Sequence, residues 1–215
     1  MTIHYVLAYK GGAGKSHIAI LLARVLPDPI VIEHAGSGAA DAWPAFPVAE
    51  KIRFTGSPEE DMLALENAIQ RHAGHQNIVI NTPPAMAFPS LVAHADLIRP
   101  MGEQYGHASR AFLVVDDTAP FDTSDILTAL HTFGTDLRVV FNEKTAGRQW
   151  AREGFLGNGE IHAAIEELGT PLCTIPRLPH RAIGDYLRTR APGTPLVTRV
   201  LAQRYLDACD VLANP

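Results

Sequence analysis

The stretch Tyr9-Lys10-Gly11-Gly12-Ala13-Gly14-Lys15-Ser16 decides how the rest of the chain is read. It follows a short β-rich run, Ile3–Ala8. It precedes Ile18, Leu21, Leu22, Val25 and Leu26, which fall on one helical face until Pro27 ends the pattern. Strand, glycine turn and helix in that order are the context a phosphate-binding loop requires. Glycines let the backbone curl so that successive N–H groups point inward, and the helix brings its positive end to the same spot. On this reading Gly11, Gly12, Ala13, Gly14, Lys15, Ser16 and His17 cradle phosphates. Lys15 neutralises their oxygens, and the Ser16 hydroxyl ligates Mg²⁺.

Outward from the loop, β-rich runs recur at Pro29–Ile32, Ile78–Ile80, Phe112–Val115, Leu137–Phe141 and Leu172–Ile175. Helical patterns lie between them. Ser57-Pro58-Glu59-Glu60 reads as a helix start, with Ser57 as N-cap and acids in the first turn. Met62, Leu65, Ala68 and Ile69 continue its apolar stripe. Asp122–Phe133, Gly159–Leu168 and Pro195–Leu212 are further helix candidates. Strands that are nearly continuous in apolar residues, alternating with helices, predict an α/β fold. Its sheet is mostly parallel and twisted, with helices on both faces, in one domain over 1–215. Ala35–Ala49 and Gly147–Gly159 read as loops, and long loops in such a domain are often functional.

Composition sets limits. The 215 residues are 47% hydrophobic and 19% charged, as in a globular chain with a real core. No apolar run is long enough to span a bilayer, and Met1–Tyr9 has neither a basic n-region nor a cleavage site. Cys173 and Cys209 lack metal-type spacing and read as reduced core thiols of a cytoplasmic protein. The net charge is −5, yet residues 177–204 hold six arginines against one acid, Asp185. Arg181, Arg188, Arg190, Arg199 and Arg204 are therefore candidates for sequence-independent contact with DNA phosphates; a solvated helical face is the plainer alternative.

The glycine stretch lacks the ordinary motif's first glycine, because Tyr9 stands there. KGGAGKS instead resembles the deviant-Walker loop of the ParA/MinD family of ATPases. Other segments carry the resemblance along the chain. PIVIEHAG, from Pro29 to Gly36, is similar to the family's second strand. NIVINTPP, from Asn77, resembles its Walker B segment. Ala95-Asp96-Leu97-Ile98-Arg99-Pro100, Val139-Val140-Phe141-Asn142 and Thr174-Ile175-Pro176-Arg177 match later motifs. The last third most resembles plasmid StbB/TraL-type members.

The resemblance implies a P-loop fold, ATP and Mg²⁺ as cofactors, and a homodimer formed with nucleotide. Lys10 would reach the partner's nucleotide, making Lys10 and Lys15 the catalytic lysines. Asn142 and Pro176 would line the base pocket, and Ser16, Glu33 and Asn81 would hold the metal. DNA and a partition or conjugation protein are the implied partners, with nucleoid association and no stable membrane insertion. Two departures fall on hydrolysis. Ala35 replaces the acid that positions water, and Asn81 replaces the Walker B acid. The expectation is a nucleotide switch with slow or impaired hydrolysis; the alternatives are a non-hydrolysing adaptor and a small-molecule kinase or ligase. His34 is a substitute water-positioning group or a solvent-exposed loop histidine. His72 and His75 read as surface or capping groups. Asp116 and Asp117 end a strand and either face the nucleotide or cap the turn before the helix at Asp122, the cap being the favoured reading. Trp43, Phe46 and Trp150 read as lids on the core or contacts to a second protomer.

Overall fold

Seven strands run parallel in one sheet, ordered β3-β2-β4-β1-β5-β6-β7. The computed structural model describes residues 1–8, 12–35, 48–82, 95–116, 122–143 and 150–213. The strands are β1 (Thr2–Leu7), β2 (Pro29–Ala35), β3 (Glu50–Arg53), β4 (Asn77–Asn81), β5 (Ala108–Asp116), β6 (Leu137–Asn142) and β7 (Leu172–Ile175). Eight α-helices are described: α1 (Lys15–Val25), α2 (Pro58–His72), α3 (Ala95–Gln104), α4 (Thr123–Phe133), α5 (Trp150–Leu156), α6 (Gly159–Leu168), α7 (Arg181–Thr189) and α8 (Leu196–Ala208). The α/β architecture with a parallel sheet is the one the alternation predicted.

Burial on both faces explains the continuous apolar strands. Side chains alternate across a strand. Ile3, Tyr5 and Leu7 of β1 therefore join one core with Ile78, Ile80, Val139 and Phe141. Leu65 and Ile69 of α2, Ile98 of α3, Leu130 of α4 and Ile161 of α6 cover that side. Val6, Val79 and Val140 point the other way, to Ile18, Leu21 and Leu22 of α1, Ile183 and Leu187 of α7, and Tyr205 and Leu206 of α8. Both cysteines are free and buried on this second side.

The C-terminal helices are tied to α1 at both of its ends. Near its start, His17 Nε2 lies 2.9 Å from the Tyr205 hydroxyl, which donates to the Pro176 carbonyl at 3.0 Å. That hydroxyl has one hydrogen, so His17 is the donor to it. At the other end, Arg24 donates to the Leu187 and Arg188 carbonyls at 2.7 and 2.9 Å, where α7 leaves acceptors unpaired. Arg138, buried beneath the sheet's last strands, donates to the Leu212 carbonyl at 2.9 Å.

Several expectations need correction. Gly147–Gly159 is not irregular throughout, because α5 occupies its centre. Phe155 is fully buried and meets the Phe141 ring edge-on at 5.6 Å, which holds that turn against the core. Ser57 is the N-cap residue of α2 but its side chain makes no cap bond. Asp61 holds the turn that leads into the helix, accepting from Thr55 N, Thr55 Oγ1 and Gly56 N at 2.7, 3.0 and 3.1 Å. The α4 cap is Asp122 itself, which accepts from Ser124 N and Asp125 N; Asp117 lies outside the described residues. So do residues 36–47, with Trp43 and Phe46. Among the described residues no helix is long and apolar enough to cross a membrane, and no group of histidines, cysteines and acids could hold a metal ion. His72 instead meets Glu50, and His75 meets Asp28.

Two histidines, His4 buried in the sheet and His17 partly buried on α1, give the fold a pH dependence. Burial pulls His4 and His17 down from 6.5 to about 4; for His4 the bond to Asn77 opposes the shift. The folded state thus prefers both rings neutral. Their contribution to stability is complete above pH 6.5 and is lost as pH falls towards 4. Urea unfolding at pH 5 should show a loss on the order of 2 kcal/mol per histidine relative to pH 7. His17→Gln should narrow that gap; an unchanged gap would remove His17 from the account.

Candidate functional site

The glycine turn sits where β1 gives way to α1. Gly12 and Gly14 have φ of +86° and +100°, a region in which side-chain-bearing residues are strained. Gly14 is also the N-cap of α1 and brings no side chain to the first-turn amides. Its carbonyl accepts from Ile18 N at 3.0 Å, so the helix starts at once. The amides of that first turn have no acceptor within the helix. Lys10 and Gly11 lie outside the described residues.

Strand alternation brings three polar side chains to the α1 side of the sheet, each at a strand's carboxyl end. Glu33 of β2 is paired in register with Asn81 of β4, and Val6 of β1 is paired with the same asparagine. Asn142 ends β6. In open parallel sheets this edge is where ligands bind. All three are buried.

Asn81 is the hub. Its Nδ2 donates to Glu33 Oε2 at 2.8 Å and to Ser16 Oγ at 3.1 Å. Its Oδ1 is buried with no partner. The structure therefore brings together Ser16, Glu33 and Asn81, which the sequence had only aligned. Lys15 belongs to the same cluster. Burial lowers its ammonium's pKa, and Glu33 opposes that shift. Burial raises the pKa of Glu33, while the Asn81 bond, Lys15 and Lys51 pull it down. Both charges are thus incompletely compensated.

Asn142 stands at the end of β6, as the sequence placed it. Its Nδ2 donates to the Ala13 carbonyl at 2.8 Å in a buried bond, so this face of the amide holds the turn. Pro176 contributes its carbonyl to Tyr205. A cavity of about 400 Å³ opens between α1 and α7 beside Ser16 and His17, with Ile20, Leu178 and Leu187 as apolar walls and Arg181 at its edge. Tyr205 was missed by sequence reasoning. It lies far down the chain in a helix with no motif, and only the folded contact reveals it.

His34 is a correction. It is 1% exposed, and alternation turns it to the side opposite Glu33. There it lies 3.9 Å from Asp61 and edge-on to Phe54. It is neither a solvent-exposed loop residue nor a neighbour of Ser16. Ala35 ends β2. The basic residues are dispersed. Arg181 and Arg188 both pair with Asp185, Arg190 lies over the Tyr186 ring, and Arg199 and Arg204 are exposed on α8.

No protein-family model matches the chain, and neither does any curated protein.

Replacing the hub tests its weight. Asn81→Leu would leave Glu33 and Ser16 without their shared donor, at a cost of about 1–3 kcal/mol in urea unfolding. A stability equal to the parent's would show that these bonds hold nothing together.

Proposed function

We propose that this chain is a ParA/MinD-like switch that binds ATP with Mg²⁺, pairs with a second copy when loaded, and hydrolyses slowly. The observation that carries this reading is the Asn81 amide stretched between Ser16 and Glu33, with its own oxygen buried and unpaired, beside Lys15 at a glycine turn. Ser16 Oγ, a Glu33 oxygen and, once its amide turns over, Asn81 Oδ1 would offer the all-oxygen set that suits a hard divalent cation. The buried Oδ1 has no partner in the present orientation, so turning the amide to meet a cation would cost it no hydrogen bond at that oxygen. Mg²⁺, when bound, would supply the charge that draws the terminal phosphates into line.

The chain's own groups supply the rest. First-turn amides of α1 offer donors to phosphate oxygens. Lys15, half-buried and with its pKa lowered, gains a compensating anion. The cavity walled by Ile20 and Leu178 offers an apolar bed for the nucleoside. Asn142 keeps the turn in shape through Ala13. Lys10, as in the resembled family, would serve the partner's nucleotide. Asn81 brings no charge where an acid normally stands, and Ala35 has no group to orient water. Slow turnover follows, and the same two residues favour the second reading, an adaptor that binds without hydrolysing. The motif resemblance alone supports a setting in plasmid partition, stability or conjugation.

Calorimetry tests the site. Lys15→Ala should weaken ATP binding roughly 100-fold or more, since it removes a charge-assisted contact to the phosphates. Unchanged affinity would defeat the proposal. Sedimentation with ATP, ADP and no nucleotide should show an ATP-dependent dimer that Lys10→Ala abolishes while leaving ATP binding intact. Ala35→Asp should raise phosphate release; no rise in a protein that binds ATP would favour the adaptor.

A further inference from the structure

His17 lines the cavity between α1 and α7, and the direction of its hydrogen bonds fixes what it can offer there. Its Nε2 lies 2.9 Å from the Tyr205 hydroxyl, whose oxygen lies 3.0 Å from the Pro176 carbonyl. A carbonyl can only accept, so the phenol spends its single hydrogen on Pro176. Burial raises the phenol's pKa and Cys209 adds to the shift, so that hydrogen stays in place. The phenol oxygen therefore accepts from His17, and Nε2 carries the ring's hydrogen. The ring is neutral at pH 7, because burial lowers its pKa to about 4. A neutral imidazole has one N–H, which leaves Nδ1 as a bare lone pair.

That lone pair has no hydrogen-bond partner among the described residues and is not sealed from solvent. The charged donors that share the cavity lining, Arg181 and Arg188, both pair with Asp185. An acceptor here cannot serve phosphate, whose oxygens are acceptors too. The His17 backbone amide keeps that task, as a first-turn amide without an acceptor in the helix. The side chain needs a ligand group that donates. In a nucleoside triphosphate the sugar joins the phosphates to the base, so the ribose hydroxyls are the donors nearest the phosphates. His17 directly follows Ser16, where phosphate would give way to sugar; Ile20, about a turn further along α1, walls the part left for the base.

We propose that Nδ1 of His17 accepts a hydrogen bond from a ribose hydroxyl, which makes the site selective for ribonucleotides over deoxyribonucleotides. Tyr205 is the positioning residue. From far down the chain it fixes both the tautomer and the orientation of the His17 ring. This selectivity rests on the ATP-binding reading and adds to it a determinant outside the phosphate loop's backbone.

Calorimetry of the full chain with Mg²⁺ and ATP, 2′-deoxy-ATP, 3′-deoxy-ATP or inosine triphosphate tests this. In the parent, at least one deoxy analogue should bind roughly fivefold more weakly than ATP, the worth of one neutral hydrogen bond. His17→Phe keeps an aromatic wall and removes the acceptor, so ATP and both deoxy analogues should bind alike. Tyr205→Phe leaves the ring without its partner and free to move its hydrogen to Nδ1, so the preference should shrink. Each preference is a ratio within one variant, which a general loss of stability does not imitate. A parent that binds ATP and both deoxy analogues equally overturns the proposal and leaves the ATP-binding reading standing. So does a preference that survives His17→Phe. An unchanged preference in Tyr205→Phe overturns the positioning role of Tyr205. If the deoxy analogues match ATP while inosine triphosphate binds more weakly, and His17→Phe removes that difference, Nδ1 meets the base amine and the ribose assignment is overturned. Absence of binding by all four nucleotides overturns the ATP-binding reading and this selectivity together.

Discussion

One buried amide holds the site together. Asn81 reaches from the sheet's centre to the Glu33 carboxylate on one side and the Ser16 hydroxyl on the other. It thereby joins β2, β4 and the first turn of α1. Asn142 adds a second tie, from β6 to the Ala13 carbonyl. The glycine turn is therefore fastened from two strands that flank β1 on opposite sides. Without these ties, a turn rich in glycines would keep a large conformational entropy.

Those ties have an electrostatic cost. Lys15 and Glu33 sit close enough to influence each other, yet burial shifts both towards neutrality. An amide in place of a carboxylate at position 81 keeps the cost down, because a second buried anion beside Glu33 would be harder to hold. The same substitution leaves the site poorer in negative charge for a cation.

The sheet was legible because its strands are short apolar runs set off by turn residues. The run Leu172–Ile175 coincides with β7, and Gly159–Leu168 with α6. β3 was not legible. It is an edge strand of four residues in which Ile52 alone is buried, and its charged residues guard the open edge. Pro100 hid α3, since proline within a helix usually argues against one. α7 was read only as a basic stretch, although His180 caps it and Ile183 and Leu187 bury its inner side. The phosphate-type turn and the residues Ser16, Glu33 and Asn81 were all named from motif position. Their bonding was not, because it depends on which face each strand residue takes. His34 shows the same limit: a shift of one residue from Glu33 moves it through the sheet.

The clamps on α1 have a mechanical consequence. His17 anchors its first turn to Tyr205, and Arg24 anchors its last turn to the end of α7. The first turn carries Ser16, and the far clamp lies on the helix that ends just before α8. Three helices are thus bolted into one plate with the glycine turn at its corner. A load placed on the glycine turn would therefore be shared at once by Tyr205 and by the end of α7, through the two ends of a single helix.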